Sequence, residues 1–190
     1  MVDKQKNIHD RINIVDVEAT CWEFNDAKKK HHEIIEIGIC VINIETMEIE
    51  RSVGIYVKNR ETEISEFCKG ITGITQEKID VEGIEIEEAI GIMRNDFGSH
   101  RRPMGCWGGF DKWIFDDACK RNGIVDYPFK NWINIKEMFM VAYGRNKCGM
   151  KKAMNIMNFE FEGVQHCGKD DAFNTAKVFI MMMKKIRGEK

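Results

Sequence analysis

No stretch of this 190-residue sequence is rich in proline, glycine or serine, and no repeat or low-complexity tract interrupts it. Nothing therefore divides it, and one domain is expected over 1–190, with a core from about 11 to 186 large enough to bury a hydrophobic interior. A long uncharged apolar run is missing, as is a basic segment leading into an apolar one, so no membrane is expected and the expected location is cytoplasmic. An excess of either charge is missing too: 29 Lys and Arg meet 31 Asp and Glu, for a net charge of -2. Proteins that coat nucleic acid through many phosphate contacts are basic, so any nucleic acid here is expected to be held locally. The seven cysteines are odd in number and lack C-x-x-C spacing, which argues against a disulfide framework or zinc site and for reduced, partly buried thiols. Neither G-x-x-x-x-G-K-[ST] nor G-x-G-x-x-G occurs, so no nucleotide cofactor is indicated.

What is present is a change of periodicity along the chain. Alternation and β-branched content predict strands at 12–18, 33–42 and 49–57, linked closely enough to form an antiparallel meander. Short helical turns are expected at 65–69 and 76–79, and apolar residues at 86, 89, 90, 93 and 97 give a helical spacing over 84–97. A strand at 104–107, a helix at 111–121, a strand at 132–135, and helices at 136–143, 150–157 and about 169–186 complete the pattern. Three meandering strands followed by strand and helix in alternation predict an α/β fold with a mixed sheet flanked by helices.

Carboxylates mark the places where chemistry is expected. Asp16 and Glu18 stand two apart at the end of the first strand, on one face, roughly 6 to 7 Å apart along the chain. Buried together they would repel and lose hydration, which suggests a cation that both can ligate; acids that simply reach water from a strand end are the alternative. Gly108 and Gly109 precede Phe110 and Asp111 where a strand gives way to a helix. Glycine lets the backbone approach a ligand, while a plain helix cap is by itself a strong alternative for Asp111. In the last helix a phase of about 100° per residue puts Ala172, Ala176, Phe179 and Met183 on the buried stripe with Asp171 at its border. Asp170 falls on the opposite, solvated side near Asn174 and Lys177. His166 stands on the loop before that helix; histidine is the side chain type that exchanges protons near neutral pH, which suits a general base, a structural histidine being the alternative.

Four acids and one histidine at strand ends, helix starts and a loop are the parts of a two-metal phosphodiesterase site. Hard cations such as Mg²⁺ and Mn²⁺ take oxygen ligands, and two of them about 3.5 to 4 Å apart can hold the attacking and leaving oxygens of an in-line displacement. Trp22, Trp107, Trp113 and Trp132 are expected in the core, with Trp22 the one kept as a candidate stacking surface. Basic groups at 28–30, Arg101 and Arg102, Arg145 and Lys147, and Lys151 and Lys152 are candidates for guiding a nucleic-acid backbone.

With these motifs in order, the chain resembles the DEDDh family of 3′-to-5′ exonucleases. Residues 16–21 resemble its first motif, 108–111 its second, and His166 with Asp171 five residues on its third. Residues 33–36, 67–68, 71–74, 132–135 and 166–171 are similar to the branch that trims histone mRNA ends, 5.8S ribosomal RNA and small interfering RNAs. The resemblance implies an RNase H-like fold whose five-stranded mixed sheet begins with three antiparallel strands. It implies two divalent metal ions, Mg²⁺ or Mn²⁺. Asp16, Glu18 and Asp171 would hold one, Asp16 would be shared with the other, Asp111 would reach that one directly or through water, and His166 would be the general base. The backbone around Ala19 and Thr20 would meet the terminal nucleotide, with Ile71 and Phe110 against its base or sugar; core packing is the alternative for those two. The implied activity is exoribonucleolytic, on RNA with a single-stranded 3′ end, releasing nucleoside 5′-monophosphates. A DNA-directed or proofreading exonuclease and a non-catalytic module that holds RNA ends are the alternatives. The branch's N-terminal nucleic-acid-binding extension is not matched, since the first strand begins almost at once, so recognition of structured RNA is not expected.

Overall fold

Alternation along the first strand sets the layering. In the computed structural model, which describes residues 10–23, 31–125, 129, 131–146 and 148–189, Ile12 and Ile14 of β1 (Arg11–Ala19) face one hydrophobic cluster and Val15 and Val17 face another. β1 is the middle strand of a five-stranded sheet ordered β3-β2-β1-β4-β5, with β2 at Ile34–Asn43, β3 at Glu48–Tyr56, β4 at Met104–Cys106 and β5 at Trp132–Asn134. β1, β2 and β3 pair antiparallel, while β4 runs parallel to β1 and β5 parallel to β4. This is the expected mixed sheet, and no strand end differs from expectation by more than one residue.

The helices are α1 (Glu66–Thr72), α2 (Gln76–Glu82), α3 (Ile86–Asn95), α4 (Phe110–Arg121), α5 (Ile135–Tyr143), α6 (Met150–Ile156) and α7 (Gly168–Arg187). Ile90 and Met93 of α3 and Ile114 and Phe115 of α4 pack on the Val15 and Val17 side. Phe139 of α5, Met154 of α6 and Ala172, Ala176 and Phe179 of α7 pack on the Ile12 and Ile14 side. Met182, fully buried, ends the α7 stripe where Met183 was expected. Asn174, expected in solvent, is also buried: its amide donates to the carbonyls of Asp170 (2.7 Å) and Glu162 (2.8 Å). The segment before α7 folds over that side, and Asp170, half-buried, ties down that loop by accepting the Val164 N–H on Oδ2 at 2.8 Å.

Pairing between β1 and β2 shifts where Glu18 opposes Glu36 and Ala19 opposes Ile34. Ile35 drops out of the ladder and turns into a third cluster with Cys68, Ile74 and Ile79. That irregularity draws α1 to the end of β1, where the N-cap Ser65 hydroxyl donates to the Cys21 carbonyl at 2.6 Å. All seven cysteines carry free thiols, as expected. No helix among the described residues is long and apolar enough to cross a membrane.

Candidate active site

Asp16 and Glu18 lie on the β1 side that α7 covers, opposite Gly38 and Glu36 in the register with β2. Gly38 offers no side chain, so Gly168 of α7 settles directly onto the strand pair. A helix start leaves backbone N–H groups without intrahelical partners, and Cys167 at the N-cap makes no side-chain cap bond. Glu36 of β2 supplies the acceptors instead. Only 2% exposed, it receives the Gly168 N–H at 2.9 Å and the Lys169 N–H at 3.3 Å, negative charge at the positive end of the helix dipole.

This docking delivers the two C-terminal site residues. Asp171, in the first turn of α7, is 8% exposed, and its Oδ2 accepts the His166 N–H at 2.7 Å. That bond holds His166 at φ 59°, a left-handed conformation uncommon for a residue with a side chain, and leaves the residue exposed. Glu18, His166 and Asp171 each place a ligand-capable atom within 4.8 Å of the other two. Asp111 approaches from α4. β4 pairs with β1 only at Asn13 and Ile14, so the Val17 N–H, between Asp16 and Glu18, is free to donate to Asp111 Oδ1 at 3.1 Å. The five site residues read from the sequence thus gather around the end of β1.

Their electrostatics are those of an anion cluster. Burial, then the Asp111, Asp171 and Glu18 carboxylates, push Asp16 well above the usual carboxylate range. Burial, then Asp171 and Glu36, raise Glu18 to about 8. Burial raises Asp111 to about 6 against the pull of the Val17 N–H, and raises Asp171 to about 6 against that of the His166 N–H. Four carboxylates in such contact cannot all ionise without compensating positive charge. Crowded carboxylate oxygens, with an imidazole beside them, are a donor set that fits hard divalent cations.

The expected nucleotide contacts fare differently from one another. Phe110 is 48% and Ile71 37% exposed, which removes core packing as their role. Ala19 is 8% exposed and Thr20 fully buried. Thr20 spends its N–H on the Glu33 carbonyl (2.8 Å), its hydroxyl on the Glu33 N–H (2.9 Å) and its carbonyl on His32 Nδ1 (2.6 Å), so it offers a nucleotide no free backbone donor. Trp22 is 8% exposed and Trp113 49%, the reverse of the expectation for those two. Arg101, Arg145, Lys151 and Lys152 are exposed and Arg102 half-buried, whereas the run 28–30 and Lys147 lie outside the described residues. Sequence similarity alone marks Glu36 and does not disclose its part in seating α7. The signal was a single acid inside the apolar run Ile34–Asn43.

Comparison with known proteins agrees with this geometry. A family model described as exonuclease (RNase_T) matches residues 14–179. Human ERI1 exoribonuclease 2 is 30% identical over 206 residues, covering 95% of this chain and 29% of its own length. Human 3′-5′ exoribonuclease 1 is 31% identical over 186 residues, covering 93% of this chain. The chain thus spans 29% and 53% of the lengths of these two relatives. The solved nuclease domain of 3′hExo, a DEDDh family member, bound to rAMP, matches with a TM-score of 0.83 at 29% identity, over 93% of this chain and 92% of that one.

Proposed function

The chain belongs to the exonuclease family, and from that premise we propose that it is a metal-dependent 3′-to-5′ exoribonuclease, a single domain over 1–190 that trims single-stranded 3′ ends to nucleoside 5′-monophosphates. The observation that carries this reading is the meeting of Glu18, His166 and Asp171 within 4.8 Å at the strand end where Asp111 is also fixed. The exoribonuclease names of the two human relatives, and the rAMP bound to the solved neighbour, favour RNA over DNA.

Asp16, Glu18 and Asp171 would hold one divalent cation, and Asp16 with Asp111 a second, Mg²⁺ or Mn²⁺. When bound, such cations supply positive charge to the attacking and leaving oxygens of the displacement. A ring nitrogen of His166 accepts the proton of the attacking water, whose oxygen bonds to phosphorus as the bond to the 3′ oxygen breaks. The Asp171 carboxylate keeps the His166 backbone in place, so the exposed imidazole works from a fixed root. Phe110 and Ile71 turn apolar surface toward the terminal base and sugar, a grip that does not read sequence. Ala19 and Thr20 form the firm wall behind it.

The test is degradation of 5′-labelled RNA and DNA oligonucleotides in Mg²⁺, Mn²⁺ or chelator. A ladder shortening from the 3′ end, dependent on metal and faster on RNA, is expected for the wild type. Internal cuts, cleavage in chelator, or an Asp16→Asn variant as active as wild type would each overturn the reading. Faster trimming of DNA would reassign the substrate.

A further inference from the structure

We propose that Trp113, with Phe110 and His32, forms a second stacking subsite that receives the unpaired base preceding the 3′-terminal nucleotide. This rests on the exonuclease reading and adds to it the number of unpaired nucleotides that the site engages.

Phe110 and Trp113 occupy positions i and i+3 of α4 and so share a face. Both rings are about half exposed, at 48% and 49%, with centroids 5.6 Å apart and planes at 41°. The ring of His32 stands near-perpendicular to both, 6.1 Å from each, at 81° to Phe110 and 76° to Trp113. His32 is anchored by its Nδ1 to the Thr20 carbonyl at 2.6 Å and backed by the buried Trp22 ring at 5.9 Å. The aromatic group is therefore fastened to the end of β1, the strand that carries Asp16 and Glu18.

Asp111 lies between Phe110 and Trp113 in sequence but turns inward, 5% exposed, to meet Val17. One helical turn thus sets a site carboxylate on its inner side and two bare rings on its outer side. Trp113 lies about 4.5 Å further along the helix axis than Phe110, at about 1.5 Å per residue, so it continues the surface away from the carboxylates. Two of the helix's three cations are paired with acids of the same helix. Lys112 pairs with Asp116 one turn on at 2.6 Å, and Arg121 with Asp117 one turn back at 2.9 Å. What this face offers a strand is ring surface, and every base has a π-face to match it. A base inside a duplex already has its faces covered, so the subsite selects ends with at least two unpaired nucleotides.

The test pairs a protein change with a substrate change. Initial rates at low substrate give kcat/KM for wild type, Trp113→Ala and Trp113→Phe on a single-stranded oligonucleotide and on the same oligonucleotide abasic at the penultimate position. Stacking predicts that the abasic change costs wild type about tenfold and costs Trp113→Ala little, while Trp113→Phe keeps most of the wild-type rate on the intact strand. Wild type indifferent to the missing base overturns the proposal, whatever the variants do. So do losses that simply multiply, as a surface that docks a protein would give. Wild type that trims neither strand overturns the exonuclease reading instead.

Discussion

Gly38 of β2 and Gly168 of α7 pack backbone against backbone: a Cβ at position 38 would stand 1.9 Å from the Gly168 carbonyl oxygen and 2.5 Å from the Lys169 nitrogen. Both neighbours are main-chain atoms of a helix start, so no side chain can swing aside to make room. Gly38→Ala must therefore lift the first turn of α7, weakening the Glu36 bonds and shifting Asp171 and His166. The expected cost is about 1–3 kcal/mol of stability, as for other overpacked sites. Activity should fall further, by about 100-fold, because a displacement on the order of 1 Å spoils catalytic geometry. Urea denaturation and oligonucleotide trimming measure the two effects, and a variant as active as wild type would refute the packing argument.

Glu36→Gln separates the charge of that residue from its shape. Gln keeps one acceptor oxygen for the Gly168 N–H but turns an NH₂ group toward the Lys169 N–H, and it loses the attraction of a carboxylate for a helix N-terminus. Hydrogen bonds to charged groups are worth about 1.5–3 kcal/mol. The loss is partly offset because Glu36 also repels Asp16, Glu18 and Asp171. The bond is expected to win, since it is direct, while the repulsion from Glu36 is the smallest contribution at Asp16 and Asp171 and stands behind burial and Asp171 at Glu18. The variant should melt lower and trim more slowly, with its metal requirement intact. A higher melting temperature in chelator would show repulsion to be the larger effect.

The sheet, and the five residues that gather at the end of β1, were legible because each had a local mark. Asp16 and Glu18 broke an apolar strand at its end, and Asp171 bordered a helical stripe whose phase was clear. What stayed hidden depends on contacts between distant segments. Nothing near Glu36 in sequence shows that a helix more than 130 residues later needs its oxygens. Asn174 looked solvated because the helix alone decides phase, whereas the loop around Glu162 decides burial. Trp22 and Trp113 were misjudged in opposite directions, since closeness to a motif does not tell which ring has neighbours packed over it.

Asp16→Asn is expected to trade activity for stability. Asp16 is crowded by burial and by three neighbouring site acids, so replacing its charge relieves the metal-free fold. The melting temperature in chelator should rise, while trimming falls by about 10² to 10³-fold, the usual scale for losing one electrostatic element of a site. His166→Ala should lose about 10² to 10⁴-fold in rate while keeping the stabilisation by cations that the carboxylates provide. Scanning calorimetry with and without Mg²⁺ separates these patterns. Equal loss of metal response in both variants would remove the distinction between the roles assigned to Asp16 and His166.

The same crowding fixes how stability depends on pH. Glu18 at about 8, and Asp111 and Asp171 at about 6, all lie above the 4.5 and 3.8 of unperturbed Glu and Asp, and Asp16 is raised in the same direction. Between roughly pH 4 and 8 these four acids thus hold more protons in the folded protein than in the unfolded chain, and the stability they contribute without metal must fall as pH rises through that window. The lowered Glu50 and Glu87, paired with Arg11 and Arg60, act in the opposite sense at acid pH, so the comparison belongs from pH 5 upward. Divalent cations should reverse the trend, because they need the carboxylates deprotonated and stabilise only the folded form, by about 2.7 kcal/mol at a hundred times Kd. Melting curves at pH 5, 6.5 and 8 should show the temperature in chelator falling with pH and the increment from Mg²⁺ or Mn²⁺ growing. A cation increment of the same size at pH 5 and pH 8 would mean that the ion binds somewhere other than these four acids.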